Sequence, residues 1–169
     1  MRKSFYIGCA TIGLIGLSSI SCMTGPSVSN QEKAAARSFT PPQGKALLYV
    51  YRASSIPTMM MPSYCWVNHT FVGKNGAGTC MAIPLSPGKY IVHAIRDPRL
   101  EQPTPPIAFT ASAGKLYFIR QKISPTTEGM VILPTGVVPG FRCEAVEVSD
   151  STGHEDVSKC RQIGAAAIF

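Results

Sequence analysis

The sequence feature that most constrains the fold is a short-range alternation of apolar and polar side chains after residue 44. It is clear in residues 79–85 (TCMAIPL) and 107–111 (IAFTA). A period of two places successive side chains on opposite faces of a strand. Turn signals, such as the Asn-Gly pair at 75–76, separate these segments at intervals of roughly 8–12 residues, which is typical of an antiparallel β-sandwich.

Two other segments, residues 45–52 (KALLYVYR) and 116–119 (LYFI), are apolar on both faces. They predict strands that are covered on two sides. The chain shows no strand-helix-strand alternation, which argues against a parallel sheet. We therefore predict an all-β domain over residues 45–169, an antiparallel β-sandwich of the Ig-like or prealbumin-like kind.

One helix is expected at the end of this domain. Thr152 and Glu155 have the spacing of a capping box, in which two side chains satisfy backbone groups at a helix start. Val157 and Cys160 follow three residues apart, on one face of a helix. We predict a short C-terminal helix near residues 153–162.

The first residues have the pattern of a bacterial export signal. Arg2 and Lys3 precede an apolar segment at residues 5–17, in the order of a secretory signal. That segment is shorter than the roughly 18 residues of a membrane-spanning helix. The following LSSISC resembles a bacterial lipobox, although Ser19 replaces the usual Leu or Val. We predict a signal peptide at residues 1–21 and a lipid on Cys22, with cleavage to a soluble periplasmic protein as the alternative.

Lipid on Cys22 would anchor the chain at a membrane. Each buried methylene contributes about 0.8 kcal/mol, and more than one acyl chain, such as an added palmitate, makes the anchor stable. Met23 follows without an Asp, which resembles the pattern of proteins sent to the outer membrane. Residues 22–44 contain Gly, Pro and Ser and predict a lipidated linker with a short helical turn at 31–37. The predicted location is the cell envelope, at the outer membrane facing the periplasm.

The basic charge does not indicate a nucleic-acid partner. The chain has 16 basic and 9 acidic residues, for a net charge of +7. The basic residues are scattered and do not alternate with aromatic ones, as they do in nucleic-acid-binding surfaces. We expect the charge to aid solubility and to attract anionic lipid or envelope polymers weakly.

Cysteines give the next constraint. Cys9 lies in the signal and Cys22 is the lipid site, which leaves an even number for disulfides in an oxidising compartment. The remaining ones are Cys65, Cys80, Cys143 and Cys160. Four cysteines allow three pairings. We favour Cys65–Cys80 and Cys143–Cys160 because each pair is close in sequence. The paired C-x₂₋₄-C spacing of a zinc site is absent, so we predict no metal and no cofactor.

No motif in the chain indicates catalysis. The histidines are His69, His93 and His154, and none belongs to an H-E-x-x-H metal motif. The chain also has no G-x-S-x-G nucleophile elbow. We predict that the protein is not an enzyme.

Four segments together resemble the DUF2846 family of small bacterial envelope proteins. They are residues 46–52 (ALLYVYR), 64–68 (YCWVN), 85–94 (LSPGKYIVHA) and 113–121 (AGKLYFIRQ). The resemblance covers residues 45 to about 148. It implies a β-sandwich, often behind a lipoprotein signal, and no biochemical activity. His69 stands where the family more often has Gly, which puts a type I′ turn after residue 67 in question.

Arg52 and Arg120 follow apolar strands and resemble recurrent positions of that family. An arginine there can bind an anion through two hydrogen bonds, and a fold-stabilising ion pair is the alternative. With Tyr49, Tyr51 and Tyr117 they are the candidate ligand-binding residues, suited to a sugar or an anionic polymer.

The methionine run at residues 59–61 is the most unusual local feature. Methionines make adaptable contacts with a partner or lipid, and their soft sulfur atoms also suit Cu(I). The favoured interpretation is a loop whose methionines pack beneath the edge of the sheet.

The sequence thus predicts a lipid-anchored, non-enzymatic domain that binds or scaffolds an envelope protein partner. A module that binds glycan, peptidoglycan or another small ligand is the alternative. A hydrolase is the least favoured of the three.

The lipid anchor can be tested in the native host. We expect mass spectrometry of the purified protein to show Cys22 as a lipid-modified N-terminus, and Cys22→Ser to lose the lipid and leave the membrane fraction. A native chain that retains residues 1–21 with an unmodified Cys22 would contradict the prediction.

Overall fold

A computed structural model describes residues 28–96 and 104–165, and in this part of the chain the protein is mostly β, as predicted. The predicted signal peptide and Cys22 lie outside the described residues. Nine strands are present there: β1 (Ala46–Arg52), β2 (Ser63–Val67), β3 (Thr70–Asn75), β4 (Thr79–Leu85), β5 (Gly88–Ile95), β6 (Ile107–Ala111), β7 (Leu116–Leu133), β8 (Gly136–Glu147) and β9 (Arg161–Gln162). Two α-helices accompany them, α1 (Asn30–Arg37) and α2 (Asp150–Lys159).

The strands form two sheets. One has the order β8-β7-β1-β4-β9 and the other the order β3-β2-β5-β6. β1 runs parallel to β7, and β4 runs parallel to β9, so the prediction of a wholly antiparallel fold is wrong for the five-stranded sheet. The absence of strand-helix-strand alternation did not exclude parallel pairs, because the chain runs from β1 to β7 through β4 and the four strands of the other sheet instead of through a helix.

The two sheets share one apolar core. It includes Leu48, Val50, Met81, Ile83 and Ile119 from the five-stranded sheet, and Cys65, Val67, Val72, Val92 and Ala94 from the four-stranded sheet. These side chains are the inward-facing half of the alternation seen in the sequence.

The opposite face of the five-stranded sheet carries a second buried cluster. It consists of Leu47, Tyr49, Tyr51, Cys80, Phe118, Val157 and Cys160. Because both faces are covered, every residue of β1 is buried, which confirms that the doubly apolar segment at 45–52 is a strand covered on two sides.

The helix α1 packs against this second cluster. Ser29 caps it in a capping box with Glu32, and the Tyr49 hydroxyl donates a hydrogen bond to the carbonyl oxygen of Ala36. Part of the segment predicted as a linker therefore lies on the domain.

The C-terminal helix is present but starts earlier than predicted. Ser149 is the cap, and its hydroxyl accepts a hydrogen bond from the amide of Thr152. The residues of the expected capping box therefore lie inside α2. The helix ends at Lys159, since Cys160 is extended and leads into β9. No helix among residues 28–96 and 104–165 is both long and apolar enough to cross a membrane.

The pairing favoured for the cysteines is wrong in this arrangement. Cys65 and Cys143 lie in the shared core, whereas Cys80 and Cys160 lie in the second cluster. The five-stranded sheet thus separates each cysteine from its favoured partner. The cysteines of each favoured pair are close in sequence. This does not place them on the same face of a sheet, because successive residues of a strand face opposite sides.

A substitution at Gly153 tests the packing of α2 on the sheet. A methyl group there would overlap the ring of Phe118, which stacks on Tyr49 with centroids 5.2 Å apart. Alanine normally stabilises a helix by about 1 kcal/mol relative to glycine. We nevertheless expect Gly153→Ala to reduce the free energy of unfolding by about 2 kcal/mol, because overpacking outweighs helix propensity.

Urea unfolding of Gly153→Ala measures this effect. Ser158→Ala, at an exposed position of the same helix, is the control and should change stability by less than about 0.5 kcal/mol. A Gly153→Ala protein more stable than the parent would show that α2 does not pack as described.

Candidate functional site

The residues predicted to bind a ligand instead make contacts within the protein that stabilise its fold. Arg52 is 2% exposed. Its guanidinium donates hydrogen bonds to the carbonyl oxygens of Thr58 and Met61 and to the Thr58 hydroxyl oxygen at 2.9 Å. It therefore closes the loop between β1 and β2, since buried carbonyl groups need partners.

Arg120 joins β7 to α2. Its guanidinium forms an ion pair of 2.6 Å with Asp156, and the Tyr51 hydroxyl donates to the same carboxylate at 2.8 Å. Burial raises the pKa of Tyr51 to about 12, so the hydroxyl keeps its proton at neutral pH. Arg120 therefore forms a fold-stabilising ion pair, which was the alternative to a role in binding an anion.

The remaining tyrosines do not form an exposed aromatic surface. Tyr49 and Tyr51 are fully buried. Tyr117 is half-buried, and its hydroxyl donates to the carbonyl oxygen of Thr110 at 2.9 Å. The ligand surface predicted for these residues with Arg52 is not assembled, because β1 is central in its sheet and covered on both faces.

An exposed aromatic cluster lies instead on the outer face of the four-stranded sheet. Tyr64, Trp66 and Phe71 contact one another with ring centroids 5.2–6.3 Å apart. Phe71 is 47% exposed, and the other two are half-buried. Large exposed apolar groups of this kind are typical of interaction surfaces.

Two histidines extend this cluster. His93 lies on β5 opposite Trp66 of β2, and the ring of His69 lies 6.4 Å from that of His93. With Trp66 and Ile95 they line a shallow, open depression of about 290 Å³. No group of three or more potential metal ligands occurs among the residues that the structure describes. We call the outward-facing residues of β2, β3 and β5, together with His69, the aromatic face.

The strand alternation produces the aromatic face. Cys65 and Val67 point into the core, so Tyr64 and Trp66 point outward. A β-bulge between Cys65 and Trp66 shifts the register with β3 and places Phe71 opposite Trp66. Local twist at a bulge re-aims side chains, and here it gathers the three rings.

The turn at Asn68 and His69 holds one histidine against this sheet. Both residues have positive φ, of 47° and 66°, as a type I′ turn requires. The Asn68 side chain accepts a hydrogen bond from the amide of Ile91 at 2.9 Å and donates to the carbonyl oxygen of Lys89 at 3.3 Å. The turn questioned from the sequence therefore forms without glycine, since Asn and His tolerate this conformation.

The charged residues of the aromatic face are positive. The strands β2, β3, β5 and β6 contain no Asp or Glu. Lys74 lies opposite Tyr64 on β3, and the exposed Lys89 lies further along β5. Within the described residues, the side-chain polar atoms of Tyr64, Trp66 and His93 form no hydrogen bond, so they can accept or donate to a ligand.

The sequence does not distinguish this face from the inner face of the sheet. Residues 64–67 (YCWV) alternate, but both halves are apolar, so the pattern does not say which half faces outward. His69 and His93 are 24 positions apart and come together only because β2 and β5 are neighbours. His154, the third histidine, instead packs on Phe39 in the second cluster, with ring centroids 4.2 Å apart.

The methionine loop is exposed. Met59 and Met60 are 57% and 67% exposed, and the nearby Ile56 is 87% exposed. The interpretation that the methionines pack beneath the sheet edge is wrong for these two. Arg52 forms hydrogen bonds to the loop backbone instead, and this leaves the side chains outside.

Comparisons with known proteins give no further assignment. No protein-family model matches the chain, and neither a curated protein nor a solved structure does. The resemblance to DUF2846 stays a prediction, so any function must be argued from the site.

The structural role of Arg52 can be tested by Arg52→Met. Methionine keeps much of the apolar volume but leaves the carbonyl groups of Thr58 and Met61 without their donor. We expect the free energy of unfolding to fall by about 2–4 kcal/mol, measured by urea unfolding. Arg161→Met, at an exposed arginine, is the control. Equal effects of the two substitutions would contradict this role of Arg52.

Proposed function

We propose that the chain is a lipid-anchored protein of the bacterial cell envelope whose domain binds a protein partner through the aromatic face. The observation that carries the proposal is the partly exposed cluster in which the rings of Tyr64, Trp66 and Phe71 contact one another. Tryptophan and tyrosine are the residues most enriched among those that dominate binding energy at protein interfaces.

The composition of the face supports a protein partner. Ile91, at 37% exposure, and the half-buried Ile95 continue the apolar surface beside the rings. Lys74 and Lys89 stand at its margin. An apolar, aromatic centre with a polar rim is the usual anatomy of a specific interface.

The charge of the face indicates what the partner presents. Since the strands of this sheet contain no acidic residue, the partner surface that fits best has an apolar centre and acidic residues around it. Complementary charge of this kind mainly accelerates association and selects the partner.

The short tether supports action close to a membrane. Even a fully extended chain between Cys22 and the start of α1 would span at most about 28 Å. Lipid on Cys22 would therefore keep the domain next to the bilayer surface.

A module that binds glycan, peptidoglycan or another small ligand is the second candidate. The depression beside Trp66 favours it, because sugar rings pack on aromatic side chains and the polar atoms there are unbonded. Its volume of about 290 Å³ is at the lower end of small-molecule sites. The planes of Trp66 and Phe71 are inclined by 56°, which suits a curved protein surface better than a flat sugar chain.

We propose no catalytic role. Activation of a nucleophile by histidine needs an orienting carboxylate in hydrogen-bond reach, and the strands around His93 supply none. For the fold, we infer a two-layer sandwich of the Ig-like or prealbumin-like kind with one mixed sheet, supported by the core that both sheets share.

Site-specific photo-crosslinking tests the partner. A photoreactive amino acid at Phe71, in the full-length lipidated chain in host cells, should give one discrete protein adduct. Trp66→Ala should weaken binding by about 30-fold and remove the adduct. The matched control places the photoreactive residue at Ile132, which is 77% exposed on the β7–β8 hairpin, and should not give that adduct.

Two outcomes would contradict the proposal. An adduct that persists in Trp66→Ala would mean that the aromatic face does not carry the binding energy. Sedimentation with purified peptidoglycan that depends on Trp66, without any protein adduct, would favour the second candidate.

A further inference from the structure

The described cysteines lie as two spatial pairs that differ from the pairs suggested by spacing. All four are buried and none is in a disulfide bond in the structure. One pair lies in the shared core and the other in the cluster beneath α2. Each pair joins parts of the chain that are roughly 80 residues apart.

Strand pairing brings Cys160 to Cys80. β9 runs parallel to β4, with Arg161 opposite Thr79 and Gln162 opposite Cys80. Cys160, one residue before β9, therefore lies at the register position of Gly78, diagonal to Cys80 and on the same face of the sheet. The Cys80 thiol donates a hydrogen bond to the side-chain oxygen of Gln162 at 3.0 Å, and the Cys160 thiol donates to the carbonyl oxygen of Arg52 at 3.9 Å. The interaction between the two thiols raises the pKa of Cys80 and lowers that of Cys160.

A separate set of contacts brings Cys143 to Cys65. Both are completely buried. Cys65 pairs with Ala94 across β2 and β5, and the Thr104 hydroxyl contacts the carbonyl oxygens of Ala94 and Cys143 at 3.2 and 2.9 Å. Burial, and then the neighbouring Cys143, raise the pKa of Cys65.

We propose that Cys80 with Cys160, and Cys65 with Cys143, form the two disulfide cross-links of the exported protein. The proposal rests on the proposed export, since disulfides persist in oxidising compartments. Cys80–Cys160 would fix the end of α2 to β4. Cys65–Cys143 would join the two sheets across their core.

The oxidant is the disulfide of a thiol–disulfide oxidoreductase or of glutathione. One cysteine thiolate attacks that disulfide and forms a mixed disulfide, and the second thiolate of the pair then displaces the oxidant's sulfur. Two cysteine thiols become one disulfide, while two electrons and two protons reduce the oxidant to its thiols. Because all four sulfur atoms are buried after folding, the exchange belongs to the folding reaction.

Oxidative refolding tests the pairing without depending on export. The full-length chain with Cys9→Ser and Cys22→Ser, which retains only the four cysteines of the domain, is refolded from denaturant in a glutathione redox buffer, alkylated and digested, and its linked peptides are identified by mass spectrometry. We expect links between Cys80 and Cys160 and between Cys65 and Cys143, with loss of both links on reduction. Links of any other pairing, or a refolded chain with four alkylated thiols, would overturn the proposal.

Two variants give matched readouts. In Cys80→Ala, we expect the alkylation of Cys160 to rise while Cys65–Cys143 persists. In Cys65→Ala, we expect the alkylation of Cys143 to rise while Cys80–Cys160 persists. Reduction of the parent should lower its unfolding midpoint by roughly 10 °C or more, because each link closes a long loop. A variant that frees the wrong cysteine would overturn the assignment.

The same peptides from the native host separate this proposal from the proposed function. Both links in the host protein support the pairing and the export together. Correct links after refolding, but four reduced cysteines in the host, would refute the oxidising location and leave the pairing supported.

Discussion

The burial of β1 on both of its faces is the constraint on which the rest of the structure depends. One face contributes Leu48 and Val50 to the core shared by the sheets, and the other contributes Tyr49 and Tyr51 to the cluster beneath α2. A strand covered on two sides needs neighbours on both edges and layers above and below it. β4, β7, the four-stranded sheet and the helices supply them.

That position explains why the tyrosines and Arg52 have structural roles. A phenol that is buried needs a hydrogen-bond partner, and the Tyr51 hydroxyl finds one in Asp156 of α2. Arg52 at the strand end satisfies the backbone of the methionine loop. The same aromatic residues that look suited to a ligand in the sequence therefore attach helices and a loop to the sheet.

The aromatic face, in contrast to β1, depends on a sheet that is not covered on both sides. The four-stranded sheet is covered only on its inner side among the described residues, so the outward half of its alternation is left to solvent. Phe71 remains exposed and Tyr64 and Trp66 only half-buried, although full burial would be favourable by about 25 cal/mol for each Å² of apolar area. A surface of this kind is retained most readily where another molecule covers it.

The sequence by itself determined the β-rich fold, the strand at 45–52 covered on both faces, and the presence of a C-terminal helix but not its start, because hydrophobic periodicity is a local property. It also held the pattern of the export signal. Only the tertiary structure decided the parallel pairs, the meeting of His69 with His93, and the partners of the cysteines. These contacts depend on which strands are neighbours and on which face each strand presents. The packing of the two sheets sets both. A period of two does not reveal them when both faces of a strand are apolar.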